Sequence, residues 1–212
     1  MDGRRRVSDE LPLLLDLLDW KRRVLGLYAE VRAAQDPESG WHRWREVRDD
    51  LFANHRQSPL PENARSGFPG LPYFDYDAGQ RVLAEVVRAE LEAYEIATSG
   101  EDAGSYRFTR FGEARFELSG RSCRLELYWL EGYGGGVFLP FRDATSGKST
   151  YGAGRYVLDT VKGADLGMEG DRLVLDFNFA YNPSCAYDPR WVCPLSPPPN
   201  RLDIPIEAGE RN

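Results

Sequence analysis

The first quarter of the chain carries apolar residues at helical spacing. Between residues 11 and 34, leucine, tyrosine and valine recur every three or four positions with charged residues between them, as on one face of an amphipathic helix. Asp36 and Pro37 then have the residue types of an N-cap and a first helical position. The same spacing continues to about Ala53. The pattern therefore predicts two amphipathic helices that pack on a larger body.

After residues 54–79, a loop rich in proline and glycine, the pattern changes from helical spacing to alternation. Residues 81–97 fit either a helix face or an alternating strand, and we favour the strand because a meander of strands follows. From Ser105 onward, short alternating segments are separated by turns of glycine, aspartate and serine. This spacing is typical of an antiparallel sandwich or barrel.

The predicted fold is therefore mainly β with N-terminal helices, in the α+β class. We expect an antiparallel β-barrel, or a sandwich-like meander, packed against the two helices. Neither a repeat nor a linker divides the chain, so residues 1–212 are predicted to form a single domain. Within it, residues 11–53 are the helical segment, and residues 81–210 are the β-rich body with a C-terminal extended segment.

Composition and charge narrow the classes of function. A hydrophobic fraction of 42% and a charged fraction of 29% are those of an ordinary globular protein. The net charge of −7 argues against nucleic acid as a partner, because binding to phosphate backbones requires a basic face. No segment approaches the roughly 20 apolar residues of a membrane span. Three cysteines are too few for a disulfide scaffold, and they favour a soluble protein of the reducing cytoplasm.

Several familiar motifs are incomplete in this chain. Gly147-Lys148-Ser149-Thr150 resembles the end of a phosphate-binding loop, but Arg142 occupies the earlier position where that loop needs a second glycine. The glycines at 132–136 do not complete a GxGxxG fingerprint, and no serine lies in a GxSxG elbow. Two histidines are too few for a histidine-rich metal site. We therefore predict neither a cofactor nor a metal.

The stretch from Phe141 to Glu210 concentrates polar, aromatic and glycine residues. Between Phe141 and Lys162, four basic residues stand against two acidic ones in a chain that is acidic overall. Guanidinium groups beside hydroxyls suit a carboxylate or phosphate. If Arg142 and Arg155 lie on adjacent strands, we expect them to converge with Asp176 and Asn178 in the mouth of a barrel. The candidate ligand-binding residues are His55, Arg142, Asp143, Thr145, Ser146, Tyr151, Arg155, Asp176, Asn178, Tyr181 and Asn182.

Cys185 and Cys193 are eight positions apart and flank Tyr187 and Trp191. This spacing does not match the closely paired cysteines of a structural zinc site. Three interpretations stay open, namely thiols that only fill space, a disulfide or redox pair, and a metal site.

Separated blocks at residues 141–156, 176–187, 193–202 and 206–210 share a distinctive composition. In their order they resemble the bacterial and archaeal family called "domain of unknown function 1684". The upstream block 54–60 also resembles the family's His-Pro-x-Ser-Pro-Leu segment, with Arg56 in place of a proline, so this loop is expected to be less rigid. The resemblance covers most of the chain and implies boundaries and candidate residues, but no activity.

These patterns support three hypotheses of function. The first is a protein that binds a small polar or anionic molecule in a β-barrel pocket, with or without catalysis. The second is a non-catalytic structural or interaction protein, with Trp20, Trp41 and Trp44 as a docking face and the polar stretch as a network that closes the β domain. The third is a redox or metal site at Cys185 and Cys193.

Overall fold

Three helices open the fold. The computed structural model describes residues 7–99 and 104–212. Within these ranges α1 spans Val7–Arg32, α2 spans Pro37–Asn54 and the short α3 spans Glu62–Arg65. Asp36 is the N-cap of α2, and its Oδ1 accepts a hydrogen bond from the backbone N of Ser39 at 2.8 Å, which stabilises the first turn. The two predicted N-terminal helices are confirmed.

Seven antiparallel strands form one sheet in the order β5-β4-β3-β2-β1-β7-β6. The strands are β1 Arg81–Ala97, β2 Ser105–Leu118, β3 Arg121–Leu130, β4 Gly136–Phe141, β5 Arg155–Asp159, β6 Met168–Glu169 and β7 Arg172–Asp176. The long β1 joins two ladders, because its first residues pair with β7 and its later residues pair with β2. The strand predicted at 81–97 and the mainly β, α+β class are confirmed.

The sheet does not close into a barrel, so that form of the prediction is wrong. Its order ends at β5 and β6, and no ladder in the described ranges joins these two edges. The outer edge of β5 is occupied instead by two isolated bridges, one between Asp159 and Ala164 and one between Tyr156 and Tyr181 of the segment after β7. Tyr156 N donates to Tyr181 O at 2.9 Å, and Tyr181 N donates to Tyr156 O at 3.1 Å. These bonds satisfy the edge of β5 without a further strand.

The C-terminal segment, residues 193–212, returns along the molecule without forming a strand. Pro194 forms a bridge with Thr98 after β1, Arg201 with Arg142 after β4, and Glu210 with Tyr73. Ile206, Ala208 and Glu210 are fully buried. The segment therefore brings a carboxylate into the interior at the junction of helices and sheet.

Two large apolar clusters fill the protein. One lies on the sheet and includes the C-terminal segment, and the other lies between the sheet and the two long helices. Trp41 and Trp44, at 2% and 0% exposure, belong to the second cluster. They are therefore core residues, and the proposed docking face that included them is wrong because aromatic area already buried in a core cannot meet a partner.

The first half of α1 exposes several leucines to solvent. They are Leu13, Leu14, Leu15, Leu17 and Leu18, each exposed by more than a third of its area. Among the described residues, no helix combines the length and the apolarity needed to cross a bilayer.

Candidate functional site

Two buried arginine–carboxylate pairs lie on either side of the C-terminal segment. We call the first the seam, formed by Arg155, Asp143, Thr145 and Thr150. We call the second the cavity cluster, formed by Arg48, Tyr73, Tyr181, Asn182, Tyr187 and Glu210. The two clusters contain five of the predicted site residues, but they use them differently.

The seam is built around Arg155, the first residue of β5 and 1% exposed. Its Nη2 donates to Asp143 Oδ2 at 3.1 Å and to Ile206 O at 2.9 Å. Its Nη1 donates to the carbonyl oxygens of Ala208 and Glu210, the latter at 3.0 Å. The guanidinium carbon lies 5.2 Å from the ring centroid of Phe141. One arginine thus fastens three alternate carbonyls of the C-terminal segment to the sheet.

Asp143 completes the seam from the loop after β4. Its Oδ1 accepts hydrogen bonds from Thr145 N at 2.7 Å, Thr145 Oγ1 at 2.5 Å and Ile206 N at 3.2 Å. Thr145 Oγ1 and Thr150 Oγ1 lie 2.8 Å apart. Burial lowers the pKa of Arg155, and the charge of Asp143 opposes this shift. Asp143, Thr145 and Arg155 are therefore occupied with one another, as in a structural network.

The neighbouring candidates Arg142 and Ser146 have structural partners through the backbone. Arg142 N donates to Asn200 O, and Leu202 N donates to Arg142 O, both at 2.8 Å. Ser146 Oγ accepts a hydrogen bond from Asp143 N at 3.1 Å. Arg142 forms no ion pair with a described residue, so it does not join Arg155 around a common acid.

Asp176 and Asn178 form a third network at the end of β7. Asp176 Oδ1 accepts hydrogen bonds from Asn178 N at 3.0 Å and from Asn178 Nδ2 at 2.8 Å. Asn178 also bonds both backbone groups of Asp77, and its carbonyl accepts from Trp41 Nε1 at 2.9 Å. No hydrogen bond or ion pair joins this network to Arg142 or Arg155 in the described residues. The expected convergence of the four side chains is therefore not found.

The cavity cluster begins with Glu210, whose side chain is fully buried. Its Oε2 accepts from Arg48 Nη2 at 2.9 Å and from Asn182 N at 3.1 Å, and Tyr187 donates its hydroxyl to Oε1. Gly209, at a φ of +74°, turns the backbone just before it, and a Cβ there would lie 2.5 Å from Ala180 O. Burial raises the pKa of Glu210, while Arg48 pulls it down.

Arg48 comes from the inner face of α2 and lies among aromatic rings. Its guanidinium carbon is 4.7 Å from the ring centroid of Trp44, 5.1 Å from that of Phe52 and 5.2 Å from that of Tyr181. Its Nε donates to Tyr73 Oη at 3.0 Å. Such stacking is favourable for a guanidinium that is largely removed from water.

A cavity of about 80 Å³ adjoins this arginine. Trp20, Tyr28 and Phe52 of the helices form its aromatic wall, and Arg48 and Lys162 supply two cations. The segment after β7 supplies Tyr181, Asn182 and Ser184. The cavity therefore combines rings, positive charge and neutral polar groups at the junction of helices and sheet.

Two residues that line the cavity each carry a buried polar atom with no hydrogen-bond partner among the described residues. These atoms are Tyr181 Oη and Asn182 Oδ1, both buried, on residues that are 8% and 7% exposed. Such unpaired atoms are uncommon in folded proteins because each one costs desolvation energy. Burial raises the pKa of Tyr181 well above its usual value, so the hydroxyl keeps its proton. The residues around the cavity therefore include an unpaired donor at Tyr181 and an unpaired acceptor at Asn182.

Wider depressions lie elsewhere on the surface. One, of about 350 Å³, is lined by Arg32, Arg81 and Asp176, and Asp176 Oδ2 is buried without a partner among the described residues. Another, of about 740 Å³, lies over β1, β2 and β3 and is lined by charged residues such as Glu113, Arg115 and Arg124. Glu113 binds Arg115 at 2.9 Å and Arg124 at 2.7 Å. These exposed charges satisfy one another, so this depression presents no unpaired buried group.

His55 lies close to the cavity but serves as a local anchor. It is the C-cap residue of α2, its Nε2 lies 3.2 Å from Asp19 Oδ2, and its Nδ1 accepts from Gln57 N at 3.0 Å. Its ring meets that of Trp20 edge-on at 5.2 Å between centroids. The hydrogen bond from His55 lowers the pKa of Asp19. Both ring nitrogens thus have partners.

Cys185 and Tyr151 meet away from the cavity, where Tyr151 Oη lies 3.8 Å from Cys185 Sγ. Cys193 is buried, and its backbone N donates to Ser99 Oγ at 3.0 Å. The cysteines are not joined by a disulfide. In the part of the chain that the structure describes, no third histidine, cysteine or acid completes a metal-binding group.

Of the residues in or beside the cavity, the sequence prediction named Tyr181 and Asn182 as candidates but did not name Arg48, Lys162 or Glu210. A signal for Arg48 was present, since Arg48 lies four positions from both Trp44 and Phe52 on the apolar face of α2. A basic residue at a core position of a helix is unusual. No local pattern indicated that Lys162 lies at the cavity. It does so because the 3-10 turn Thr160–Lys162 packs against α1.

The fold and the site define an α+β protein with an open antiparallel sheet and a small polar cavity beneath its helices. Residues 66–211 match the family model described as "Protein of unknown function (DUF1684)". The chain belongs to this family. The resemblance drawn from its sequence blocks is thereby confirmed, while the block at 54–60 lies outside the matched range.

A solved structure supports the same relationship. The solution NMR structure of an uncharacterised protein from Haloarcula marismortui is 37% identical to this chain, with a TM-score of 0.59. The match covers 82% of this chain and 94% of the other. A comparison with curated proteins finds no match.

Proposed function

We propose that this protein binds a small anion, or the anionic end of a small polar molecule, in the cavity between α1, α2 and the segment after β7. The observation that carries the proposal is the pair of unpartnered buried atoms, Tyr181 Oη and Asn182 Oδ1, beside Arg48 and Lys162. A ligand that bonded both atoms would remove their desolvation cost. No reaction is assigned.

The size of the cavity restricts the ligand. Sites for drug-sized molecules usually measure about 300–1,000 Å³, whereas this cavity measures about 80 Å³. The space suits a group of a few heavy atoms, such as a carboxylate or a phosphate. The site is the junction of helices and sheet, not the barrel mouth expected from the sequence.

The charges around the cavity explain how an anion enters a site that already contains acids. Glu210 balances Arg48, and Asp159 lies 3.6 Å from Lys162. Burial raises the pKa of both carboxyl groups. An incoming anion competes with them for the two cations and raises these pKa values further, so binding takes up a proton. We therefore expect tighter binding as the pH falls.

Thermal unfolding with simple anions tests the proposal. Formate, acetate and phosphate, added to the full chain against sodium chloride of equal ionic strength, should include one that raises the Tm saturably. Lys162→Met and Tyr181→Phe should abolish the shift. Lys148→Met removes the same charge from an exposed loop and should leave it intact.

Two results would overturn the cavity as the binding site. One is that none of the three anions gives a saturable shift in Tm at any pH between about 5 and 8, the range in which folded proteins tend to be most stable. The other is that Lys148→Met weakens binding as much as Lys162→Met does.

We also propose a cytoplasmic location, which the odd number of cysteines supports.

A further inference from the structure

The depression of about 350 Å³ shares no lining residue with the cavity and has no part in the proposed binding. Its lining comes from the connection between α1 and α2 and from β1, β6 and β7, and it includes five charged residues, Arg32, Asp36, Arg81, Glu169 and Asp176. Its volume falls within the roughly 300–1,000 Å³ that is usual for small-molecule sites. Failure of a ligand to bind here would leave the proposed function standing.

Asp176, the last residue of β7, brings a buried carboxyl group to this lining. The residue is 1% exposed, and its two oxygens have different surroundings. Oδ1 accepts hydrogen bonds from Asn178 N at 3.0 Å and from Asn178 Nδ2 at 2.8 Å. Oδ2 is buried without a partner among the described residues. The bonds from Asn178 therefore fix the carboxyl group and leave one of its oxygens as an unused acceptor.

An arginine lies opposite this carboxyl group but is paired elsewhere. Arg81 and Asp176 face each other in the ladder between β1 and β7, where facing side chains lie on the same side of a sheet. Arg81 Nη2 nevertheless binds Glu169 Oε1, at 2.5 Å. Burial raises the pKa of Asp176, and Asn178 and Arg81 offset this only in part. A cation at Oδ2 would therefore stabilise the charged form of the carboxyl group.

The rest of the lining indicates which kind of cation fits. Three acids and two arginines give the lining a net negative charge, and Val31, Leu166 and Val174 give it an apolar part that suits an alkyl chain. Calcium takes about six to eight oxygen ligands, whereas no three acid, histidine or cysteine side chains gather as metal ligands in the ranges that the structure describes. An ammonium group suits a single unpaired carboxylate oxygen, because it donates N–H and carries the opposite charge.

We propose that this depression binds a small primary amine as its ammonium cation, with the nitrogen donating to Asp176 Oδ2 and the alkyl part packed against Val31, Leu166 and Val174. Glu169 is a positioning residue in this site. By pairing with Arg81, it keeps that guanidinium from neutralising Asp176 and so leaves Oδ2 to the ligand.

Thermal unfolding of the full chain with propylammonium chloride tests the proposal. Against sodium chloride of equal ionic strength, propylammonium should raise the Tm saturably. Propyltrimethylammonium has the charge but no N–H, and 1-propanol has a donor but no charge, so neither should do so. Asp176→Asn keeps the acceptor for Asn178 and should weaken binding at least about 10-fold. The matched control Asp171→Asn removes an acid from the exposed turn before β7 and should bind as the wild type does.

A second variant tests the site without altering the buried carboxyl group. Glu169 is about half exposed, and exposed ion pairs contribute little to stability, so Glu169→Gln should fold. It frees Arg81 to pair with Asp176 and should weaken propylammonium binding about 5-fold. Tighter or unchanged binding by Glu169→Gln would refute this arrangement.

NMR spectra of the wild type locate the ligand directly. Propylammonium should shift the backbone amide signals of Asn178 and Gly167, which lie at the depression, and leave that of Ser184, at the cavity, unchanged. The amine site is overturned if propylammonium gives no saturable shift in Tm, or if propyltrimethylammonium or 1-propanol gives an equal one. An equal loss of binding in Asp171→Asn and Asp176→Asn would overturn it as well.

Discussion

The seam and the cavity cluster are built from the same type of contact, a buried arginine against a buried carboxylate. Arg155 lies 3.1 Å from Asp143, and Arg48 lies 2.9 Å from Glu210. In the seam, both carboxylate oxygens and both terminal nitrogens of the arginine have partners in the chain, while Arg155 Nε is buried without one among the described residues. In the cavity cluster, the ion pair adjoins a space whose wall contains two unpartnered atoms.

The difference separates a structural role from a binding role. A closed polar network such as the seam, in which all but one of the arginine and carboxylate atoms are paired and which borders neither the cavity nor the depressions described above, stabilises a fold and offers little to a ligand. A network that leaves buried groups unpaired is less favourable in the empty protein and gains from a ligand that pairs them. The two are also connected, because Arg155 bonds the backbone carbonyl of the residue whose side chain binds Arg48. The seam thus positions the acid of the cavity cluster.

The largest expected effect is on the seam. Arg155→Met leaves Asp143 buried without a counter-ion and should lower the free energy of unfolding by about 3–5 kcal/mol. Urea unfolding monitored by tryptophan fluorescence measures it. Arg142→Met, in the same loop region and without an ion pair to a described residue, should cost no more than about 1 kcal/mol. Equal losses would contradict the structural role of the seam.

A pair of tyrosine substitutions sharpens the comparison inside the cavity cluster. Tyr187→Phe removes a hydroxyl that donates to Glu210 and should cost about 1.5–3 kcal/mol, as for a hydrogen bond to a charged group. Tyr181→Phe removes a buried hydroxyl that has no partner, so it should leave the stability of the empty protein unchanged or raise it by about 1 kcal/mol. Chemical denaturation of the two variants side by side provides the measurement. A larger loss for Tyr181→Phe would show that its hydroxyl already has a partner.

The smallest expected effect is on the pH dependence of stability. The pKa of Glu210 is raised in the folded protein above its ordinary value of 4.5. At a pH between the ordinary pKa of the unfolded state and the raised pKa of the folded state, the folded protein holds a proton that the unfolded chain has lost. The stability therefore falls as the pH rises through this interval. Below it this contribution is fully present, and above it the contribution is lost.

Glu210→Gln removes this titration. Relative to the variant, the wild type should gain stability as the pH falls from neutrality toward 4.5, which unfolding curves at several pH values would show. Glu207→Gln makes the same change at an exposed position of the same segment and should leave the pH profile unaltered. A wild type and a Glu210→Gln variant with parallel profiles would contradict the raised pKa.

The secondary structure followed closely from the sequence because its causes are local. Asp36 and Pro37 marked the start of α2, and alternation marked β1 once the meander after it was taken into account. The barrel was wrong because alternation describes which side chains share a face, while closure depends on what meets the outer edge of β5. There two isolated bridges, to Tyr181 and to Ala164, take the place of a strand.

For the candidate site residues too, some properties followed from the sequence and others only from the packing. The sequence by itself determined the family and the polar, glycine-rich stretch that contains Asp143, Arg155, Tyr181 and Asn182, since composition and order suffice for both. Only the tertiary structure decided which of these side chains are satisfied and which face a cavity. The physical reason is distance along the chain: Arg48 and Glu210 are 162 positions apart. Their meeting depends on how α2 and the C-terminal segment pack against the sheet, which no local pattern encodes.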